Sequence, residues 1–287
     1  MDFPIKKIKC NEVKAILQND INPNKTPGYD LITGRILKEL PDKCVRLITF
    51  LFNSIFRLSY FPDLWKVAEI IMIPKPGQQL DLVRSYRPIS LLPILSKVLE
   101  KLILKRLQPF LEHNDLIPNH QFGFRRQHGT IEQVHRIVEH INRDLEEQKY
   151  CSAVFLDISQ AFDKVWHSGL LYKLKEKLPY PFYTLLKSYL TSRLFLVKHE
   201  DEHTSLFPIQ SGVPQGSVLG PVLYSLFTAD LPITECTTTA TYADDTALLA
   251  SQANRVTTSI NLQEHLKNVS HGLQNGELGS MRLNLCM

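Results

Sequence analysis

Apolar positions along the chain follow helical spacing in some stretches, run continuously in others, and change pattern without a fixed rhythm. From Lys6 to Asn19, Ile8, Val13, Ile16 and Leu17 fall at roughly helical spacing. Two prolines and a glycine in NPNKTPGYD, Asn22 to Asp30, mark a loop. Helices are expected over Ile32 to Leu40 and Asp42 to Ser59, then a short strand, Ala68 to Ile73, ended by the turn residues Pro74, Lys75, Pro76 and Gly77. The stretch SYRPISLLPILSKVLEKLILKRLQPFLE starts extended around Pro88 and becomes an amphipathic helix. Leu95, Val98, Leu99, Leu102, Ile103 and Leu107 take one side, Lys97, Lys101, Lys105 and Arg106 the other. A basic face of this kind is ordinarily solvated surface; the alternative is contact with nucleic acid.

Next comes QFGFRRQHGT, a loop with a double arginine, leading into a helix from Thr130 to about Glu147. CSAVFL, Cys151 to Leu156, has the continuous apolar character of a fully buried strand, and it ends on Asp157. Helices are expected at Ser159 to Lys164, Gly169 to Leu178 and Phe182 to Ser192, followed by a strand pair, Leu194 to His199 and Ser205 to Ile209. Strands and helices mix without a βαβ alternation, so the expected class is α+β rather than a doubly wound sheet.

Composition narrows the partners little. The 287 residues are 44% hydrophobic and 22% charged, which is globular rather than disordered. The net charge of +4 permits a nucleic-acid partner without demanding one. Five cysteines, odd in number, scattered and without a CxxC pair, argue against a disulfide framework and favour a reducing, intracellular setting, nucleus and cytoplasm. MDFPIKKIKC lacks the apolar core of a signal peptide, and the apolar segment Cys44 to Tyr60 is too short to span a bilayer, so no membrane partner is expected. His113, His120, His128, His135 and His140 show no metal-ligand spacing and no accompanying cysteine, and a zinc site is not expected.

Three segments carry candidate chemistry. In AVFLDISQAFDKVWH, Asp157 ends a strand, a position from which a side chain can project into a cleft. SGVPQGSVLGPVLYSLF, Ser211 to Phe227, is a Gly/Pro-rich turn feeding a helix with Pro221 in its permissive first turn. TATYADDTALLAS sets Asp244 and Asp245 side by side between apolar and Thr residues. Taken alone, the acidic pair reads as a hairpin turn. If a sheet brings it beside Asp157, three carboxylates crowd one point and call for cations, and oxygen-only ligands favour Mg²⁺ over zinc.

FLDISQAFDKVWH, SGVPQGSVLGPVLYSLF and YADDTALLA, in that order, resemble the palm motifs of reverse transcriptases, those of jockey-like non-long-terminal-repeat retrotransposons above all. KTPGYD, FPDLWKVAEIIMIPKPG, SYRPISLLPILSKVLEKLI and QFGFRRQHGT resemble the fingers segments of that family, and the likeness extends from about Ile8 to Ser251. The resemblance implies a right-hand polymerase with an antiparallel palm sheet: residues 1–65 a helical extension of the fingers, 66–150 fingers, 151–253 palm and 254–287 an incomplete palm end. It implies an RNA template, a DNA primer and deoxynucleoside triphosphates. Asp157, Asp244 and Asp245 become ligands of two Mg²⁺ ions, for which Mn²⁺ can substitute, with the Ile158 carbonyl assisting. Phe162 sits under the sugar and repels a 2′-hydroxyl. Gln215 and Gly216 line the nucleotide pocket, and Lys75 and Arg87 hold the triphosphate. Asp163 is not among the implied ligands.

The family continues into a primer-gripping hairpin and a helical thumb. Here Gly276, Gly279 and Met281 stand about where that family has tryptophans, so a thumbless, truncated polymerase is expected. Two rivals follow: an RNA-dependent RNA polymerase, which Phe162 disfavours, and a catalytically inactive nucleic-acid-binding remnant of a mobile element.

Overall fold

The computed structural model describes residues 5–82, 85–125, 127–158, 160–274 and 283–286. Gly276, Gly279 and Met281, the second arginine of the QFGFRR loop and the first residue of the helix expected from Ser159 lie outside them. In chain order the elements are α1 (Cys10–Ala15), running into a wider turn Ile16–Asp20, then α2 (Gly34–Lys38), α3 (Asp42–Leu58), β1 (Val67–Pro74), β2 (Tyr86–Leu91), α4 (Ile94–His113) and α5 (Thr130–Glu146). They continue with β3 (Tyr150–Ile158), α6 (His167–Lys177), α7 (Tyr180–Leu190), β4 (Leu194–His199), β5 (Glu202–His203) and β6 (Phe207–Pro208). The last are α8 (Gly220–Phe227), β7 (Thr237–Tyr242), β8 (Asp245–Gln252), α9 (Arg255–Gln274) and β9 (Leu283–Cys286).

These elements form two compact units, each built from two stretches of chain. The first comprises residues 1–113 and 174–220, the second 114–173 and 221–287. In the first unit, α3 starts after Pro41 and stops at Ser59, whose φ of 49° is the left-handed cap that ends many helices. Its buried stripe of Val45, Thr49, Phe52, Ile55 and Phe56 recurs at three- and four-residue steps. Asn53 ties the N-terminal segment to it, accepting from the Ile8 N–H at 2.8 Å and donating to the Ile8 carbonyl at 3.0 Å. Beside these helices lies a mixed sheet ordered β2-β1-β4-β5, with β6 also on β4. β1 and β2 pair antiparallel from Glu69 opposite Leu91 to Pro74 opposite Tyr86, while β4 runs parallel to β1. The strand pair expected at Leu194–His199 and Ser205–Ile209 is found with a shorter second member, β6.

Helix α4 fills the centre of this unit, with Val98, Leu99, Leu102, Ile103 and Leu107 fully buried. Its basic side is not a free cationic surface. Arg106 pairs with Glu12 at 2.8 Å and donates to the Lys6 carbonyl at 2.8 Å; Lys105 reaches the same Glu12 and Lys101 reaches Asp20, both at 3.3 Å. Lys105 and Arg106 thus hold down the chain's own first helix, and Lys101 the turn that follows it. Glu12 is drawn to a pKa of about 2, since the Lys9 N–H, Arg106 and Lys105 together outweigh the upward push of burial.

The second unit contains an antiparallel sheet ordered β7-β8-β3-β9. Helices α5 and α9 pack against it. Ile137 and Ile141 of α5 cover Ala240, Ala247 and Leu249. Two expectations are corrected here. β3 is not buried throughout: Val154, Leu156 and Ile158 are buried, whereas Ala153, Phe155 and Asp157 are exposed. An apolar run cannot distinguish one covered face from two, and the alternation appears only in the fold. Over Gln160–Lys164 there is a single turn rather than a helix. Gln160 takes φ 55° and its carbonyl accepts from both Asp163 and Lys164, which closes the turn without propagating it.

Candidate active site

Asp157 stands one residue before the end of β3. β3 pairs with β8 from Tyr150 opposite Gln252 to Leu156 opposite Thr246, and this register carries Asp157 to the position facing Asp245. β7 and β8 close through Tyr242 opposite Asp245, leaving Ala243 and Asp244 as a two-residue turn. The favoured hairpin turns need a positive φ at their first central position, a place for glycine. Ala243 occupies it with φ 58°, at a cost of roughly 1–2 kcal/mol for a residue with a side chain. Asp157, Asp244 and Asp245 thus meet at one end of one sheet.

Their charges act on one another. The half-buried Asp244 carboxyl is held above the ordinary range, first by burial and then by Asp245 and Asp157, against the pull of its own backbone N–H. The field extends to Tyr224 on α8, whose phenol is pushed upward by burial and then by Asp244 and Asp245. Its buried hydroxyl has no hydrogen-bond partner among the described residues. Among those residues no group of three or more His, Cys, Asp or Glu side chains is placed to hold a metal ion. The donor set still suits Mg²⁺, which is held by one or two carboxylates and completes its shell with water and substrate phosphate. The Ile158 carbonyl lies at the same end of β3, in the residue paired with Leu283.

Phe162 follows on the turn after β3. Its ring stacks on Tyr224, centroids 4.8 Å apart and planes at 19°, and meets Phe124 edge-on at 5.9 Å. The half-buried ring is therefore fixed from two sides, in the same unit as the three carboxylates.

Lys75, Arg87, Gln215 and Gly216 belong to the first unit. Lys75 begins the turn after β1, its N–H on the Ser85 carbonyl at 2.7 Å, and Arg87 is exposed on β2 opposite Ile73. The Gln215 carbonyl accepts from the Ser90 N–H at 2.8 Å. Gly216 has φ 119°, and a Cβ there would meet the Ser90 carbonyl oxygen at 2.7 Å, so this position admits only glycine.

Glu100 was not singled out by the sequence. Fully buried on α4, it accepts from the Val218 and Leu219 N–H groups at 2.7 and 3.1 Å and from Ser96 Oγ at 3.1 Å. It thereby pins the loop that bears Gln215 and Gly216. Burial raises its pKa, while the Leu219 N–H, the buried Arg193 guanidinium, the Val218 N–H and Ser96 oppose that rise. The available signal was an acidic residue four positions after Ser96 and three before Ile103, on the apolar side of an amphipathic helix.

Comparison with known proteins identifies the family. Residues 73–280 match the family described as Reverse transcriptase (RNA-dependent DNA polymerase). The chain is 44% identical over 274 residues to the probable RNA-directed DNA polymerase from transposon BS of Drosophila melanogaster, and 45% identical over 274 residues to the RNA-directed DNA polymerase from mobile element jockey of the same species. Each alignment takes in 93% of this chain and 30% of the relative, so the chain spans about a third of the length of these curated relatives. Among solved structures it is similar to telomerase from Candida tropicalis in complex with a fragment of telomeric RNA, with a TM-score of 0.53 at 13% identity over 86% of this chain and 45% of that one. That likeness shows a shared fold.

Proposed function

Because the chain belongs to the reverse transcriptase family, we propose that it is the polymerising domain of a non-long-terminal-repeat retrotransposon, copying RNA into DNA from a primer 3′-hydroxyl. The observation that carries this reading is the Ala243–Asp244 turn, which sets two carboxylates beside the strand end bearing a third.

Asp157, Asp244 and Asp245, with the Ile158 carbonyl, would hold the two Mg²⁺ ions. Bound there, the metal supplies charge stabilisation to the attacking and leaving oxygens of phosphoryl transfer. The protein's own contribution is position. The ring of Phe162, braced by Tyr224 and Phe124, excludes a 2′-hydroxyl and so selects deoxynucleotides. Lys75 as a point charge and Arg87 as a fork suit the triphosphate. Gln215, its carbonyl held by Ser90, and Gly216, on the loop that Glu100 pins at Val218 and Leu219, offer a nucleotide-binding wall. The RNA template is gripped through backbone and A-form shape rather than sequence.

Primer extension with Mg²⁺ and dNTPs on an RNA template with a DNA primer tests the proposal. Incorporation that stops with a chelator and with Asp244→Asn is expected. Binding of the primer–template without incorporation would favour the inactive remnant instead.

A further inference from the structure

We propose that Gln121 is a positioning residue for the acidic turn: its side-chain amide clamps Ala243 in the left-handed conformation that aims Asp244 and Asp245, and so sets their affinity for a divalent cation. The cation part rests on the function proposed above.

Gln121 lies in the second unit with the turn, and its side chain is buried. Its amide makes both bonds available to one peptide residue. Oε1 accepts from the Ala243 N–H at 3.0 Å, and Nε2 donates to the Ala243 carbonyl at 3.1 Å. Oε1 also accepts from the Gly123 N–H at 2.8 Å. Any side chain at Gly123 would collide with the Ala243 backbone nitrogen, so a glycine there lets the loop close over the turn. The backbone on either side is joined as well. The Phe122 N–H donates to the Thr241 carbonyl and the Thr241 N–H to the His120 carbonyl, both at 2.9 Å. Gln133 of α5 donates to both of those carbonyls at 3.0 Å. Those bonds fix the ends of the clamp, while the amide acts on the strained residue itself.

Ala243 has no side-chain polar group with which to hold φ 58°. A two-point amide contact supplies that constraint in a residue directly preceding Asp244. Besides serving its own loop through Gly123, this glutamine addresses the residue of the hairpin whose conformation is unfavourable. Gln121→Met keeps length and volume but removes both bonds to Ala243, and with them the bond from Gly123. Gln121→Met/Ala243→Gly then restores access to positive φ without the clamp.

The experiment measures amide hydrogen exchange at position 243 and Mn²⁺ binding by electron paramagnetic resonance, on wild type and both variants of the full chain. In Gln121→Met, Ala243 should exchange at least about tenfold faster while Leu248 and Leu249 within β8 stay unchanged. Mn²⁺ affinity should fall by about tenfold and recover most of that loss in the double variant. Unchanged exchange at Ala243, exchange rising equally along β8, or Mn²⁺ affinity unaffected by a freed turn would each overturn the proposal. A wild type that binds no Mn²⁺ would instead overturn the carboxylates' proposed function and the cation part with it, while exchange at Ala243 still decides whether Gln121 holds the turn.

Discussion

Replacing Glu100 by Ala removes the acceptor of two loop N–H groups, in a buried region where Arg193 already has its Nε and one terminal nitrogen lacking partners among the described residues. Leaving a buried N–H without its acceptor costs about 1–3 kcal/mol, and the urea midpoint of Glu100→Ala should fall accordingly. A midpoint within error of wild type would mean that the carboxylate anchors nothing. Phe162 makes a second prediction. Phe162→Val should relax discrimination against ribonucleotides by at least about tenfold in primer extension, because the barrier is steric. Lower stability with unchanged discrimination would make the ring core packing only. The three carboxylates and Phe162 were legible because they sit in ordered motifs. Glu100, Gln121 and Tyr224 were not: their partners include backbone groups, rings or charges many positions away, and no residue pattern encodes such a partner.

At the scale of elements, the sequence located α3, α4, α5 and α7 to within a few residues, and α3, α4 and α7 each bury an apolar stripe. It failed where an element ends by backbone conformation, as at Gln160, or where a continuous apolar run hides an exposed face, as in β3. The basic side of α4 was visible, but its acidic partner, Glu12, lies far away on α1. That pairing predicts a pH dependence. The folded pKa of Glu12, about 2, lies below the ordinary 4.5, so its ionised form contributes stability that is complete above pH 4.5 and is lost as pH falls toward 2. With allowance for partial exposure, the contribution is on the order of 2–3 kcal/mol. Glu12→Gln should therefore be less stable than wild type at pH 6 by about that amount, and the difference should close near pH 2. Urea titrations at the two pH values check this; a difference independent of pH would mean that the ion pairs contribute nothing.

At the scale of the molecule, both sheets join strands far apart in sequence, β1 with β4 and β3 with β8, and periodicity says nothing about such pairings. The mixed order of strands and helices indicated α+β, and the order of the motifs pointed to the palm sheet. The two units are each assembled from separated stretches, a division that no composition shift marks. On the proposed function, the pairing of β3 with β8 would make Asp157 and Asp244 act as one group rather than as two independent contributors. Groups that act as a unit are non-additive when removed. The most direct measurement is the primer-extension rate of wild type, Asp157→Asn, Asp244→Asn and the double variant on one RNA template with Mg²⁺. Each single substitution should lower the rate by about a thousandfold or more, equivalent to roughly 4 kcal/mol, and the double variant should be no slower than either. Losses that multiply in the double variant, or single variants that retain the wild-type rate, would contradict the account.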